Sequence, residues 1–191
     1  MNKKMTLPFT EEDIRSLKAG DQILLSGAVY TARDAAHKRL VETIKKGEKP
    51  PIPIKDQVLY YAGPAPTPKG KVIGAIGPTT STRMDPYTPF LLDQGLKAMI
   101  GKGKRSPEVV EAIKTHQAIY FAAIGGTAAL MAKNIVAMEV SAYEELGTES
   151  IKKLVFKDFP LIVVVDIQGN DYYAIGQEKY LSGRYNNMIE E

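Results

Sequence analysis

Cysteine is absent from this chain. Its absence excludes disulfides, thiolate nucleophiles and any zinc or iron–sulfur site built on thiolates of this chain alone. Histidine is scarce too: His37 and His116 are the only two, far apart and without a second ligand at helical spacing. Both read as ordinary surface or partly buried histidines, and no metal site is expected. An excess of one charge is also missing, since 25 Lys and Arg face 22 Asp and Glu for a net charge of +3. The basic residues are interspersed with acidic ones and form no patch of the kind a nucleic-acid binder needs, so no nucleic-acid partner is expected. No run approaches the ~18 consecutive apolar residues of a membrane span. The opening MNKKMTLPFTEED turns acidic where a signal peptide turns apolar, so the expected address is cytoplasmic, with no membrane partner.

What is present is the makeup of an ordinary globular protein, 191 residues with 44% hydrophobic and 25% charged, read as one domain over 1–191. ILLSGAVYTA from Ile23 reads as a buried strand. Thr31 and Asp34 then form the hydroxyl-x-x-acid pattern of a helix cap. The helix places Ala36, Leu40, Val41 and Ile44 on one face, lets Asp34 face Lys38, and stops at Gly47. KPPIPIKD at 49–56 is an extended connector. VLYYAG at 58–63 and KVIGAIG at 71–77 read as two strands joined by a Pro/Gly loop. Thr88 and Pro89 read as cap and first residue of a short helix ending at Gly95, followed by a strand at Ala98–Ile100. Ser106-Pro107-Glu108 opens a further helix, and AIYFAAIGG at 118–126 is another strand. One or two helical turns fit Thr127–Lys133. IVAMEV, KKLVF and LIVVVDI are late strands, the last turning at Gly169 and Asn170 toward Tyr172–Ile175, and the tail beyond is polar. Strands alternating with helices and then clustering late imply an α/β sandwich with a mixed sheet.

Three segments place cations or hydroxyls at strand ends, where open α/β sheets bind ligands. Arg33 falls in the first turn of a capped helix, where the dipole disfavours a cation; a bound anion reverses that, and so does pairing with Asp34 or another acid. GPTTSTR at 77–83 sets Thr79, Thr80, Ser81 and Thr82 in a row ahead of Arg83, a pattern suited to an oxyanion and a carboxylate, or to a polar loop that satisfies its own turns. IGKGKRS flanks Lys102 with Gly101 and Gly103, allowing close approach of backbone to ligand, or simply a solvated basic loop. Neither G-x-x-x-x-G-K-[ST] nor G-x-G-x-x-G is met. Lys152 and Lys153 read as solvated surface. Two arginines, a lysine and a hydroxyl cluster suit a small dicarboxylate, but no residue stands out as catalytically poised.

YTARDAAHKR at 30–39, YYAGPAP at 60–66, GPTTSTRMDPYTP at 77–89, MIGKGKRS at 99–106 and YFAAIGGTAAL at 120–130 together resemble the β subunit, or C-terminal domain, of iron–sulfur (class I) fumarate hydratases. The five motifs follow in the same order across most of the chain, and the likeness extends to the wider fumarase and L-tartrate dehydratase superfamily. It implies an α/β fold of the swivelling β/β/α type with a mixed sheet. It also implies a cysteine-bearing α subunit as partner in an α2β2 assembly, with a [4Fe–4S] cluster on that subunit and no cofactor bound by this chain alone. By resemblance, Arg33, Thr79, Thr80, Arg83 and Lys102 bind substrate, and Thr79 is the proposed base. The implied activity is a hydro-lyase reaction, fumarate to (S)-malate. Tartrate to oxaloacetate is the second reading, and a non-catalytic dicarboxylate-binding module is a third from a different class.

Overall fold

The computed structural model describes residues 3–183; the end of the polar tail lies outside them. In chain order the elements are β1 (Lys3–Thr6), α1 (Glu11–Ser16), β2 (Gln22–Thr31), α2 (Asp34–Lys45), β3 (Val58–Tyr60), α3 (Thr88–Asp93), β4 (Ala98–Gly101), α4 (Pro107–Thr115) and β5 (Ile119–Ala122). They continue with α5 (Ala128–Met131), β6 (Ile135–Ala142), β7 (Ile151–Val165) and α6 (Tyr172–Leu181).

The sheet has seven strands in the order β1-β2-β3-β4-β5-β7-β6, and β7 also pairs with β2. β2 to β5 run parallel, while β7 is antiparallel to both β5 and β2. The five strands β2, β3, β4, β5 and β7 therefore close on themselves like a barrel, with β1 paired along the first half of β2 and β6 along the first half of β7. The mixed sheet matches expectation; the open sandwich does not. The reason is the length of β7. Its 15 residues let one end pair with β5 while the remainder runs along β2, so closure pairs the edges of β2 and β5 that an open sheet would leave exposed.

KKLVF and LIVVVDI are thus one strand. Between them Asp158 adopts a left-handed conformation (φ 48°), and its N–H donates to Ser26 Oγ at 3.0 Å. The partner strand compensates at Gly27, where the register shifts. A Cβ there would lie 2.7 Å from Leu7 Cβ at φ +124°, so only glycine fits this bend.

β3 to β5 are buried on both faces, which explains their continuous apolar runs. Val58, Tyr60, Ala98, Ile100, Ile119 and Phe121 belong to one core with Phe156 and Phe159. Alternate residues Leu59, Tyr61, Met99 and Tyr120 belong to a second core with Ala36 and Leu40 of α2, Leu91 of α3, and Val109 and Ile113 of α4. The first core fills the barrel and the second lies beneath the helices. Within the barrel Phe156 and Phe159 stack at 3.9 Å, and Tyr60 meets both edge-on at 6.0 and 5.7 Å. α1 closes the end where the parallel strands begin: Ile14 and Leu17 join the barrel core, and the N–H of Gly20 donates to Val163 C=O at 2.9 Å.

Other expectations are corrected. Lys71–Gly77 is not a strand. Its polar groups find partners singly: Ala75 C=O accepts from Ala65 N–H, and Ile76 N–H donates to Ala128 C=O. A Cβ on Gly74 would overlap the Ala65 carbonyl, so the segment packs on the loop before it and forms no ladder. Tyr172–Ile175 is helical, as the start of α6. Asp166 accepts the N–H groups of Gln168 and Asn170 at 2.9 and 3.1 Å, and Asp171 caps the helix through Tyr173 N–H, so the Gly169-Asn170 turn leads into a helix start instead of a hairpin. Thr31 does not cap α2. As the buried last residue of β2, its Oγ1 accepts from Lys152 N–H at 3.0 Å, and Arg33 takes the cap position without a side-chain cap bond. Lys152 is itself buried, with Nζ donating to Gly147 C=O at 2.9 Å and Ser150 Oγ at 2.6 Å. α4 follows expectation, with Ser106 Oγ accepting from Val109 N–H, and Gly47 ends α2 at φ 75°.

His37 on α2 is fully buried, edge-on to Tyr61 at 5.1 Å, and desolvation lowers its pKa from 6.5 to about 4. The unfolded chain binds this proton first as pH falls, so the stability that neutral His37 preserves is complete above pH 6.5 and lost toward pH 4. Wild-type unfolding free energy is expected to fall across that window relative to His37→Met by about 3 kcal/mol, measured by urea denaturation at stepped pH.

Candidate functional site

The candidate residues gather where the parallel strands end. At the β2–α2 corner, Arg33 leaves the sheet in extended geometry (φ −132°). Its Nε donates to Asp34 Oδ2 at 3.3 Å, and its Nη2 lies 3.5 Å from Glu149 Oε1. Glu149 ends the 3-10 segment Glu144–Glu149 ahead of β7. Its other oxygen accepts the N–H of Ala35 at 2.8 Å, so one carboxylate caps α2 and holds Arg33 together. Gly63, after β3, makes room for this arrangement: a Cβ there would lie 2.7 Å from the Thr148 carbonyl and 3.3 Å from Arg33 Cδ.

The hydroxyl segment is stitched to the ends of β3 and β4. Thr79 N–H donates to Tyr61 C=O at 2.7 Å, and Ser81 N–H to Lys102 C=O at 2.9 Å. Thr80 and Lys102 form an isolated parallel bridge. The four hydroxyls then separate by role. Ser81 is buried: its Oγ accepts from Lys102 N–H at 3.1 Å and meets the Tyr120 hydroxyl at 2.8 Å, which donates to Gly103 C=O at 2.9 Å. A Cβ on Gly101 would overlap Ser81 Oγ, so this glycine serves to admit the serine. Thr79 is half-buried, while Thr80, Thr82 and Lys102 are exposed. The Lys102 stem passes Gly125, where a Cβ would lie 3.8 Å from Lys102 Cδ.

Arg83 lies on the 3-10 turn Ser81–Met84. Its Nε is 2.7 Å from Asp34 Oδ1, and its Nη1 donates to Thr79 Oγ1 at 3.4 Å. Asp34 therefore serves Arg33 with one oxygen and Arg83 with the other, instead of facing Lys38. Arg33, Thr79 and Arg83 form one contiguous cluster around it, and Thr80 and Lys102 join through the backbone bridge. Arg33, Arg83 and Lys102 are offset by Asp34 and Glu149, leaving one net positive charge where the sequence alone suggested three. Among the described residues no group of three or more His, Asp or Glu is arranged to hold a metal ion.

Beneath the cluster lies a pair the sequence reading missed. Arg105, its side chain fully buried, donates from Nε to Asp85 Oδ1 at 2.7 Å and from Nη2 to Thr88 Oγ1 at 2.7 Å. Asp85 Oδ2 accepts from Ser106 N–H at 2.8 Å. The guanidinium also lies 4.9 Å from the Tyr120 ring centre and 5.3 Å from that of Tyr61. Thr88 is drawn inward, its hydroxyl donating to Met84 C=O at 2.9 Å, and is the first residue of α3, with Tyr87 in the cap position. The pair joins the turn carrying Arg83 to the loop carrying Lys102. Asp85→Asn leaves this guanidinium buried without its counter-charge and is expected to destabilise the fold by about 3–5 kcal/mol, read from the urea midpoint.

No helix among the described residues is long and apolar enough to cross a membrane. The sequence matches the family described as "Fumarase C-terminus" over residues 1–176. It is 41% identical over 185 residues to the aerobic class I fumarate hydratase of Salmonella typhimurium, covering 95% of this chain and 32% of that protein. The aerobic class I fumarate hydratase of Escherichia coli K12 is 44% identical over 154 residues, 80% of this chain and 28% of that one. The chain thus spans about a third of these relatives. A putative L(+)-tartrate dehydratase subunit beta of Methanocaldococcus jannaschii is 38% identical over 171 residues, and there the alignment covers 86% of this chain and 88% of the relative.

Proposed function

The chain belongs to the fumarase C-terminus family, whose relatives here are hydro-lyases, and from that we propose that it is the β subunit of a two-part hydro-lyase that interconverts fumarate and (S)-malate. The observation that carries this reading is that two arginines from separate segments converge on one carboxylate, that of Asp34. Guanidinium groups hold carboxylates through charge-assisted hydrogen bonds of about 1.5–3 kcal/mol each, so the same pair suits the carboxylate of a substrate.

In this reading Arg33, Arg83 and Lys102 bind the two carboxylates of the substrate and Thr80 orients them. In the dehydration direction Thr79 Oγ1 takes the proton from the carbon next to a carboxylate while the hydroxyl leaves the adjacent carbon. Arg83 Nη1 beside Thr79 Oγ1 favours the ionised hydroxyl. A neutral hydroxyl is a weak base, so an acidic group of the partner completes the relay. The chain has no cysteine, and the cluster in this reading is carried on the partner's cysteines. That [4Fe–4S] cluster, when bound, supplies an iron that acts as a Lewis acid toward the substrate hydroxyl. The exposure of Thr80, Arg83 and Lys102 suits a half-site that a second subunit covers.

The match with the tartrate dehydratase β relative, over most of both chains, supports a second reading, tartrate to oxaloacetate, and the same relative supports a separate β chain with an α partner. Both are tested by anaerobic copurification of the native complex and assay on malate and tartrate. Arg83→Ala in that complex is expected to lower kcat/KM at least ~100-fold, the loss of about two charge-assisted bonds. Full turnover by Arg83→Ala overturns the assignment.

A further inference from the structure

We propose that Asp34 is a positioning residue that aims the two substrate-binding arginines, an acidic role distinct from binding or proton transfer. Two guanidinium groups meeting at one site repel each other, and long arginine side chains have many rotamers. Each is fixed here at two points: Arg33 by Asp34 and Glu149, Arg83 by Asp34 and Thr79. Asp34 is the common point: its Oδ2 accepts a hydrogen bond from Arg33 Nε, and its Oδ1 forms an ion pair with Arg83 Nε at 2.7 Å. Side-on engagement leaves guanidinium tips for an incoming carboxylate: among the described residues Nη1 of Arg33 and Nη2 of Arg83 carry no hydrogen bond. Asp34 is also the first residue of α2, a position where a negative charge complements the helix dipole with or without ligand. The arginine pair is therefore assembled before substrate arrives.

The alternative is that Asp34 only complements the dipole or forms a surface ion pair of little consequence. The two roles respond differently to substitution. Asp34→Asn keeps the shape and removes the charge; Asp34→Glu keeps the charge at the helix start and displaces the carboxylate by a methylene. If Asp34 aims the arginines, both variants misplace them, and small misplacements weigh on turnover more than on binding. Affinity moves the other way in Asp34→Asn, because the site gains a net positive charge.

The kinetic arm rests on the dicarboxylate reading above, and a spectroscopic arm does not. In the partner-assembled enzyme both variants are expected to lower kcat about tenfold or more, the loss of one charge-assisted bond. Affinity for succinate, which has no hydroxyl to eliminate, should be unchanged in Asp34→Glu and tighter in Asp34→Asn. In the full chain, 15N-labelled at arginine, the Nε–H signal of Arg33, which donates to Asp34, should exchange slowly with solvent in the wild type and quickly in Asp34→Asn. Equal Nε–H exchange, wild-type kcat in either variant, or a parallel loss of kcat, succinate affinity and unfolding midpoint overturns the proposal. A wild-type complex inactive on malate and tartrate, with the exchange difference present, overturns the hydro-lyase reading and leaves the positioning role standing.

Discussion

The antiparallel pairing of β7 with β2 is the constraint on which the rest depends. Without it β2 to β5 would form an open parallel sheet, and their ends would fan apart with the twist of the strands. With it the sheet closes, and the C-terminal ends of β2, β3 and β4 come to share one rim. Arg33 and Lys102 lie on that rim because each follows one of these strands, and the hydroxyl segment because Thr79 and Ser81 N–H groups bond the carbonyls of Tyr61 and Lys102 there. β7 also brings Glu149 to the start of α2, since the segment before it emerges beside Arg33. One pairing thus sets the core and the composition of the site.

The site is a balance between charge concentration and neutralisation. Two guanidinium groups close together would be mobile and mutually repelling; the carboxylates of Asp34 and Glu149 turn them into an ordered array. Below, the buried Arg105–Asp85 pair keeps two loops in register, and such a pair serves geometry better than net stability. The layers differ in exposure: the upper array is partly open to solvent, with the Arg83 and Asp34 side chains 49% and 29% exposed, whereas Arg105 is at 0%. The upper array is therefore free to exchange partners while the lower one holds still.

Much of the fold was legible because its signals are local. α4 declares itself through Ser106-Pro107, and β3 to β5 through apolar runs bounded by glycine. The illegible parts depend on contacts between distant residues. Lys71–Gly77 has the composition of a strand but faces the loop before it. Asp166 and Asp171 override a turn that reads as a hairpin. Within the site, the five candidate residues were legible from their motifs and do lie together, yet their partners were not. Helical spacing pairs Asp34 with Lys38, and Glu149 contributes from the far end of the chain. Ser81 is one hydroxyl in a row of four; only its burial and its bonds to Lys102 and Tyr120, distant in sequence, separate it from its neighbours. Lys152 passes for surface because lysine ordinarily is, and nothing local reveals that the carbonyls of Gly147 and Thr148 receive it.

Barrel closure by the last long strand also bears on biogenesis. A ribosome delivers β2 to β5 well before residues 151–165, and until those appear Tyr60, Ile100 and Phe121 line a trough open to water. The nascent intermediate is adhesive by construction, and its remedy is encoded downstream. Vectorial synthesis therefore does not complete the barrel piece by piece: the decisive pairing spans more than a hundred positions and awaits the emergence of the clasping strand, a high-contact-order event of the kind that is slow and leaves unfinished chains exposed to one another.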